Sequence, residues 1–379
     1  MTKTLVAIIA SAGIGFAAEV PKVLPIGSDL PSFSLPGIDG KTHTEADYAD
    51  SKILCIIFTS NHCPDSVAVA TRMEAIHQDY KDKGIALVAV SANNPASLRP
   101  DELSYSIYGD SFEEMKPFAE SNGWTLPYLY DGETQAFATA CGAQSTPHVF
   151  VFDSERKLRY TGRLDDARRA SGPVDKSYLR DAFDALLAGE EIETPTTRSF
   201  GCSTKWLFKV ADVEAAEKAW KETPITLEEL DTELAKKLKA NKSGNLRMIN
   251  FWSTTCGPCV AEFPDLVATY RRFQNRNFDF ISISLDPTED KAKVEKFLQS
   301  RSAALGKRTA PSLKKEGRTS NNYLWTGSNP DELAEAIYPE WTGALPLTLL
   351  IAPDGEIIHV LNEEIEISEL TEKILEALK

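Results

Sequence analysis

The chain has 379 residues, too many for one ordinary hydrophobic core and suited to two domains joined by a linker. Its 42% hydrophobic and 26% charged residues are the composition of a soluble globular protein. The formal net charge of −15 argues against nucleic acid and anionic membrane as partners, because both reward basic patches.

The chain opens with a basic start (Lys3), an apolar stretch from Leu5 to Ala18, small residues at Gly15, Ala17 and Ala18, and then Glu19. Residues 1–18 have the layout of a secretory signal peptide, and the apolar run is too short to span a bilayer comfortably; a retained anchor is the alternative. No later segment approaches transmembrane length. The mature protein is therefore expected without a membrane span, in an exported, periplasmic compartment that permits disulfides.

A first domain is expected over residues 24–188. Leu54 to Phe58 reads as a strand, Val67 to Tyr80 as a helix and Ile85 to Ser91 as a second buried strand. Thr146 and Pro147 lead another strand through Phe152, a turn and a further strand follow, and Asp175 to Leu187 is helical in pattern. Residues 189–223 read as a linker that starts acidic and proline-containing, carries Cys202 and passes into a charged helical piece near Glu214 to Lys221.

Residues 224–379 repeat the plan. Met248 to Trp252 is a strand, Val260 to Phe273 an amphipathic helix and Phe278 to Leu285 a buried strand. Leu345 and Pro346 lead the next strand, and Ser368 to Leu378 closes the chain as a helix. Laid over one another, Phe58, Ser60 and Cys63 fall on Phe251, Ser253 and Cys256, while Ser66 stands where the second half has Cys259. A cysteine, a helix and a proline-led hairpin recur in both halves. The expected fold class is α/β, a tandem of one β-α-β-α-β-β-α unit with a mixed central sheet flanked by helices.

Chemistry concentrates at Cys256-Gly257-Pro258-Cys259, where an apolar strand runs into a helix. Free backbone N–H groups and the helix dipole favour an anion at that point. A thiolate there gains up to roughly 2 kcal/mol, and about 1.36 kcal/mol moves a pKa by one unit. The free-thiol value of roughly 8.5 can fall toward roughly 7. Cys259, one helical turn on, can close a disulfide with it. The rival is half of a zinc site, which needs a second close Cys or His pair. His43, His62, His77, His148 and His359 form no such pair, and the other four cysteines stand alone. A redox dithiol is expected, with no metal and no cofactor beyond the redox-active disulfide.

These residues resemble the thioredoxin superfamily over nearly everything after the signal peptide. The stretch Cys256 to Pro264 and the Pro346 strand are similar to the exported thiol-disulfide reductants of the TlpA/ResA type, and the stretch from Ser302 to Gly343 resembles an insertion those proteins carry. Asn61-His62-Cys63-Pro64, Thr146-Pro147, Gly162 to Asp166 and Gly201-Cys202-Ser203-Thr204-Lys205-Trp206 resemble the peroxiredoxin-like AhpC/TSA branch.

The resemblance implies that Cys256 is the attacking thiolate and Cys259 the resolving thiol. Where thioredoxins keep an aspartate six positions before the nucleophile this chain has Asn250, so Glu262 is the candidate base; a solvated first-turn acid is the alternative. Pro346 matches the proline that lies cis beside the dithiol, with Leu345 presenting its backbone to an extended substrate, and Thr146 and Pro147 hold the equivalent place in the first half. Trp252 is a candidate to cover one side of the site or plain core. The Gly-Pro dipeptide is that of reducing thioredoxins and favours a potential toward roughly −270 mV over the roughly −120 mV of strong oxidants.

Cys63 admits three readings: a peroxidatic thiol, a one-thiol exchange site, or a residue of a docking module without chemistry. Ser60 fits the peroxiredoxin pattern three positions before the cysteine, but Ile56 stands where that pattern has proline. His62 and His148 are candidates to flank the thiol, or with Cys63 to hold a metal, and each is equally an ordinary partly buried histidine. Cys202 and Cys141 are the candidate resolving thiols; Cys55 lies in a buried strand and reads as core. The implied partners are exported protein disulfides, apocytochromes c among them, a membrane electron-donor protein of the disulfide-reductase type, and peroxides if Cys63 is peroxidatic. The rival functions are a thiol peroxidase with the second domain as built-in reductant, and a non-enzymatic metal-binding or interaction protein.

Overall fold

Two mixed β-sheets organise the computed structural model, which describes residues 19–167, 173–327, 329–362 and 365–379. The proposed signal peptide lies outside the described residues. The first sheet has the order Tyr128–Tyr130, Ile85–Ser91, Ile53–Thr59, His148–Phe152, Leu158–Gly162. Its first three strands are parallel and the last two join antiparallel. The second has the order Glu228–Leu230, Asn322–Trp325, Phe278–Ser284, Leu246–Trp252, Leu347–Ile351, Ile357–Leu361, parallel over its first four strands and antiparallel over the last two. Each half is thus a thioredoxin-like α/β fold.

The central strands are buried along their whole length, which is why Ile53–Phe58 reads as an unbroken apolar run, while Leu246–Trp252 also buries Arg247 and Asn250. Alternation sends successive residues to opposite layers. Ile53, Cys55 and Ile57 pack with Val69, Met73 and Phe183 on one face, and Leu54, Ile56 and Phe58 pack with Phe137, Cys141 and Trp206 on the other. In the second half Met248 and Trp252 face Phe263 and Leu266, while Ile249 and Phe251 face Leu333 and Trp341.

The helices Pro64–Tyr80 and Gly257–Phe273 have 17 residues each, and each is N-capped by a cysteine, Cys63 and Cys256. Both start before the expected Val67 and Val260, because a proline within the first turn fits a helix start without losing a hydrogen bond. The expected element order omits Tyr128–Tyr130 from the first central sheet and, from the second, Asn322–Trp325 together with the edge strand Glu228–Leu230. Three and four residues are too few to show a period. Asn322–Trp325 lies inside the stretch expected as an insertion and joins the central sheet.

The stretch expected as a linker is also corrected in part. Thr196 bridges Thr161, and the Thr197 hydroxyl lies 2.8 Å from that of Tyr160 and accepts from the Arg163 N–H at 2.9 Å. Cys202–Ser203 pairs antiparallel with Ser145–Thr146, and Trp206 is buried in the first half's core. Residues 196–206 are therefore a strap laid on the first fold, and the helix Val210–Lys221 leads on to the second. The halves meet where Arg272 donates to the Leu103 carbonyl (3.0 Å) and Arg276 to that of Ser104 (2.7 Å). Among the described residues no helix is long and apolar enough to cross a membrane.

Candidate functional site

In the second half the Cys256 sulfur sits at the helix start, accepts the Cys259 N–H at 3.3 Å and is bonded to the Cys259 sulfur as a disulfide. Cys256 is partly exposed and Cys259 is buried. The turn before them is pinned by Asp286, which accepts the Thr254 N–H at 2.9 Å and the Ser284 hydroxyl at 2.7 Å. Pairing of Phe251 with Leu347 brings the Leu345–Pro346 peptide, which is cis, to the end of the sheet that carries this turn. Pro346 is buried and Leu345 half-buried.

Glu262 is buried on the helix one turn past the dithiol, and its Oε1 accepts from the Asn250 amide at 3.4 Å. The same amide donates to the Thr348 hydroxyl at 3.0 Å. A polar Asn250–Glu262–Thr348 group thus lies under the disulfide's helix. Trp252 requires a correction as a substrate-facing residue. It is 0% exposed, with its ring centroid 4.8 Å from Phe263 and 4.7 Å from Phe297. Its place in the strand turns it into the helix-covered layer.

In the first half the Cys63 thiol donates to the Thr146 carbonyl at 3.1 Å, and the Cys202 N–H donates to the Cys63 sulfur at 3.4 Å. The strap causes this, because Cys202 stands opposite Thr146 in antiparallel register. Gly201 permits the close approach: its φ is +149°, and a Cβ there would lie 2.0 Å from the Thr146 carbonyl oxygen. The Thr146–Pro147 peptide is also cis, but the strand edge expected to receive a substrate is taken by the chain's own Cys202.

Beside Cys63, His62 Nδ1 lies 2.7 Å from Asp110 Oδ2, and both side chains are buried. Asp110 also accepts the Asn61 N–H at 2.8 Å and the Asn93 amide at 2.6 Å. Burial works against charge on Asp110, but His62 and these donors hold its carboxyl below the usual carboxylate range. Burial likewise opposes the imidazolium of His62, and Asp110 outweighs it, so the ring's pKa is raised. His62 Nε2 is buried without a hydrogen-bond partner among the described residues.

Burial opposes the Cys63 thiolate too. The Cys202 thiol, the His62 charge and the N–H groups of Ser66 and Cys202 outweigh it and bring the pKa down to about 6. Cys202 moves the opposite way, raised by its hydrogen bond to Cys63 and then by burial. One sulfur is arranged to hold the negative charge and the other the proton.

The remaining candidates separate from this group. Cys141 lies in the apolar layer with Leu54 and Phe137, where burial raises its pKa, so the position assigned to it as a resolving thiol is corrected to core. Cys55 is core, as expected. His148 is engaged inside its strand layer, accepting the Gln144 N–H at Nδ1 (3.3 Å) with Nε2 3.2 Å from the Thr161 hydroxyl, and burial lowers its pKa to about 4. Ligand-type atoms gather near Cys63 from Cys202 and Asp65, within 4.8 Å of one another, and not from the two histidines. Sequence reasoning missed Asp110. It stands in a loop 48 positions beyond His62, with no spacing signal to mark it.

The model of the AhpC/TSA family matches residues 26–161 and again 222–360. The thiol-disulfide oxidoreductase ResA of Oceanobacillus iheyensis is 27% identical over 124 residues, covering 32% of this chain and 52% of that protein. The chain thus spans about half the length of that relative. A Mycobacterium tuberculosis protein whose name assigns it provisionally to the peroxiredoxins is 22% identical over 140 residues, covering 37% of this chain and 78% of that one. The crystal structure of a hypothetical protein from Sinorhizobium meliloti is 34% identical, covering 49% of this chain and 96% of that one at a TM-score of 0.44. With its two matched ranges together spanning most of its length, the chain belongs to the AhpC/TSA family.

Proposed function

We propose that the protein is a thiol-disulfide oxidoreductase that reduces disulfides of exported proteins through Cys256 and Cys259. The observation that carries this reading is the pairing of a partly exposed, helix-capping Cys256 with a buried Cys259 already within bonding distance. In the reduced enzyme the Cys256 thiolate attacks a substrate disulfide. One substrate sulfur leaves as a thiolate, and a mixed disulfide forms on Cys256. Cys259, losing its proton, then attacks the Cys256 sulfur, closes the internal disulfide and expels the second substrate sulfur.

Glu262 takes the part of the base for Cys259, and Leu345 offers its backbone to the substrate segment. The reading places the mature protein in the periplasm, fed by a membrane electron-donor protein of the disulfide-reductase type, because that compartment is kept oxidising. Similarity to a protein named as a thiol-disulfide oxidoreductase supports the reaction class.

The test is the reduction potential of the Cys256–Cys259 pair, measured by equilibration in defined thiol/disulfide buffers. A value below about −220 mV supports a reductant, and a value near −120 mV overturns it in favour of an oxidant. Cys256→Ser should also abolish reduction of a protein disulfide such as that of insulin.

A further inference from the structure

We propose that Cys63, Asp65 and Cys202 form a metal site for Zn²⁺, with two sulfurs and one carboxylate oxygen as ligands and a fourth position open to water. The inference stands apart from the role given to Cys256 and Cys259.

The donors gather from separate elements. Cys63 caps the helix Pro64–Tyr80, Asp65 lies in that helix's first turn, and Cys202 comes in on the strap. Their ligand atoms lie within 4.8 Å of one another. Tetrahedral zinc holds sulfur at about 2.3 Å and carboxylate oxygen at about 2.0–2.2 Å, which sets its ligand atoms roughly 3.5–3.8 Å apart. Side-chain rotation covers the difference while the strap stays paired to Ser145–Thr146.

Donor chemistry selects the ion. Thiolates suit Zn²⁺ and Cu⁺, carboxylates suit harder ions, and zinc takes both. Ca²⁺ and Mg²⁺ do not fit, because they want oxygen throughout. Three protein ligands leave one tetrahedral position. Cys63 is 0% exposed, while Asp65 and Cys202 are half-buried, so the open position lies on their side.

The surroundings tolerate a cation. The Thr146 carbonyl, 3.1 Å from the Cys63 sulfur, turns the negative end of its dipole to the site. His62 is held by Asp110 at 2.7 Å, and the two are neutral as a pair when the ring is charged. Lys205, three residues along the strap from Cys202, is paired with Glu102 at 2.6 Å. The Cys202 N–H, 3.4 Å from the Cys63 sulfur, can keep donating to a metal-bound thiolate, as hydrogen-bond donors around metal ligands do. On binding, each ligating thiol gives its proton to water, and the ion ties the strap to the helix.

The experiment uses the full chain with Cys256→Ser and Cys259→Ser, so that the other dithiol takes no metal. The protein is reduced with a phosphine, stripped of metal and titrated with Zn²⁺ against a chromophoric chelator. The expected result is one ion per chain, with affinity lowered about tenfold or more by Cys63→Ser, by Cys202→Ser and by Asp65→Asn. Asp65→Asn leaves both thiols in place, so it tests the site even if a cysteine variant fails to fold. Co²⁺ in place of Zn²⁺ should give thiolate-to-metal charge-transfer absorption that weakens in Cys202→Ser, and bound Zn²⁺ should protect Cys63 and Cys202 from alkylation. Absence of binding, an affinity unchanged in any of the three variants, or a cobalt spectrum without thiolate absorption overturns the proposal. So does binding of Cu⁺ with none of Zn²⁺, since the thiols alone would then make the site.

Discussion

The backbone N–H of Cys202 donates to the sulfur of Cys63 at 3.4 Å, across 139 positions of sequence. The contact exists because residues 201–206 fold back on the first sheet and set Cys202 opposite Thr146. A segment that looks like a tail after one domain is thus part of that domain's cysteine site. It occupies the strand edge next to the cis proline of the first half.

Gly201→Ala should pry the strap loose, since its Cβ would fall 2.0 Å from the Thr146 oxygen. The fraction of chain able to form the Cys63–Cys202 cross-link should drop at least tenfold, with the Cys256–Cys259 disulfide unchanged. Peptide mapping of the oxidised protein checks this; wild-type cross-linking in the variant would show that the close approach does not seat Cys202.

Cys63 ties stability to pH in the reduced protein. Its folded pKa of about 6 lies below the free-thiol value of roughly 8.5. The stabilisation is therefore fully present above roughly 8.5 and is lost as pH falls through about 6. Urea midpoints of the reduced chain, compared with Cys63→Ser, should diverge in favour of the wild type as pH rises across that window. A pH-independent difference would refute the linkage.

Glu262→Gln should slow the second half-reaction and spare the first. Release of substrate from the Cys256 mixed disulfide is expected to slow by about tenfold or more at neutral pH, as loss of a general base does. The deficit should vanish at alkaline pH, where Cys259 ionises unaided. A structural role alone would leave a deficit at every pH. Stopped-flow tryptophan fluorescence on a disulfide peptide separates the two steps.

Trp252→Ala should act on stability, not on substrate choice. Removing a buried aromatic costs about 3–5 kcal/mol, and the cluster with Phe263 and Phe297 supplies the packing lost. Denaturant unfolding measures the cost. A variant of unchanged stability with altered KM would return Trp252 to the substrate surface.

Local chemistry and periodicity made the helices that follow Cys63 and Cys256, the spacing of Cys256 and Cys259, the proline-led strands and the repeat of one plan legible in the sequence alone. Each of these depends on residues within a turn or a strand of one another, so the linear order carries it. The short edge strands, the inward turn of Trp252, the retreat of Cys141 into the apolar layer, the His62–Asp110 pair and the seating of Cys202 on Cys63 were decided by tertiary structure. Register between distant strands and the side chosen by each layer bring those groups together, over 48 positions for His62 and Asp110 and 139 for Cys63 and Cys202. No local propensity encodes a contact of that kind, because it is the burial of the whole sheet that selects it.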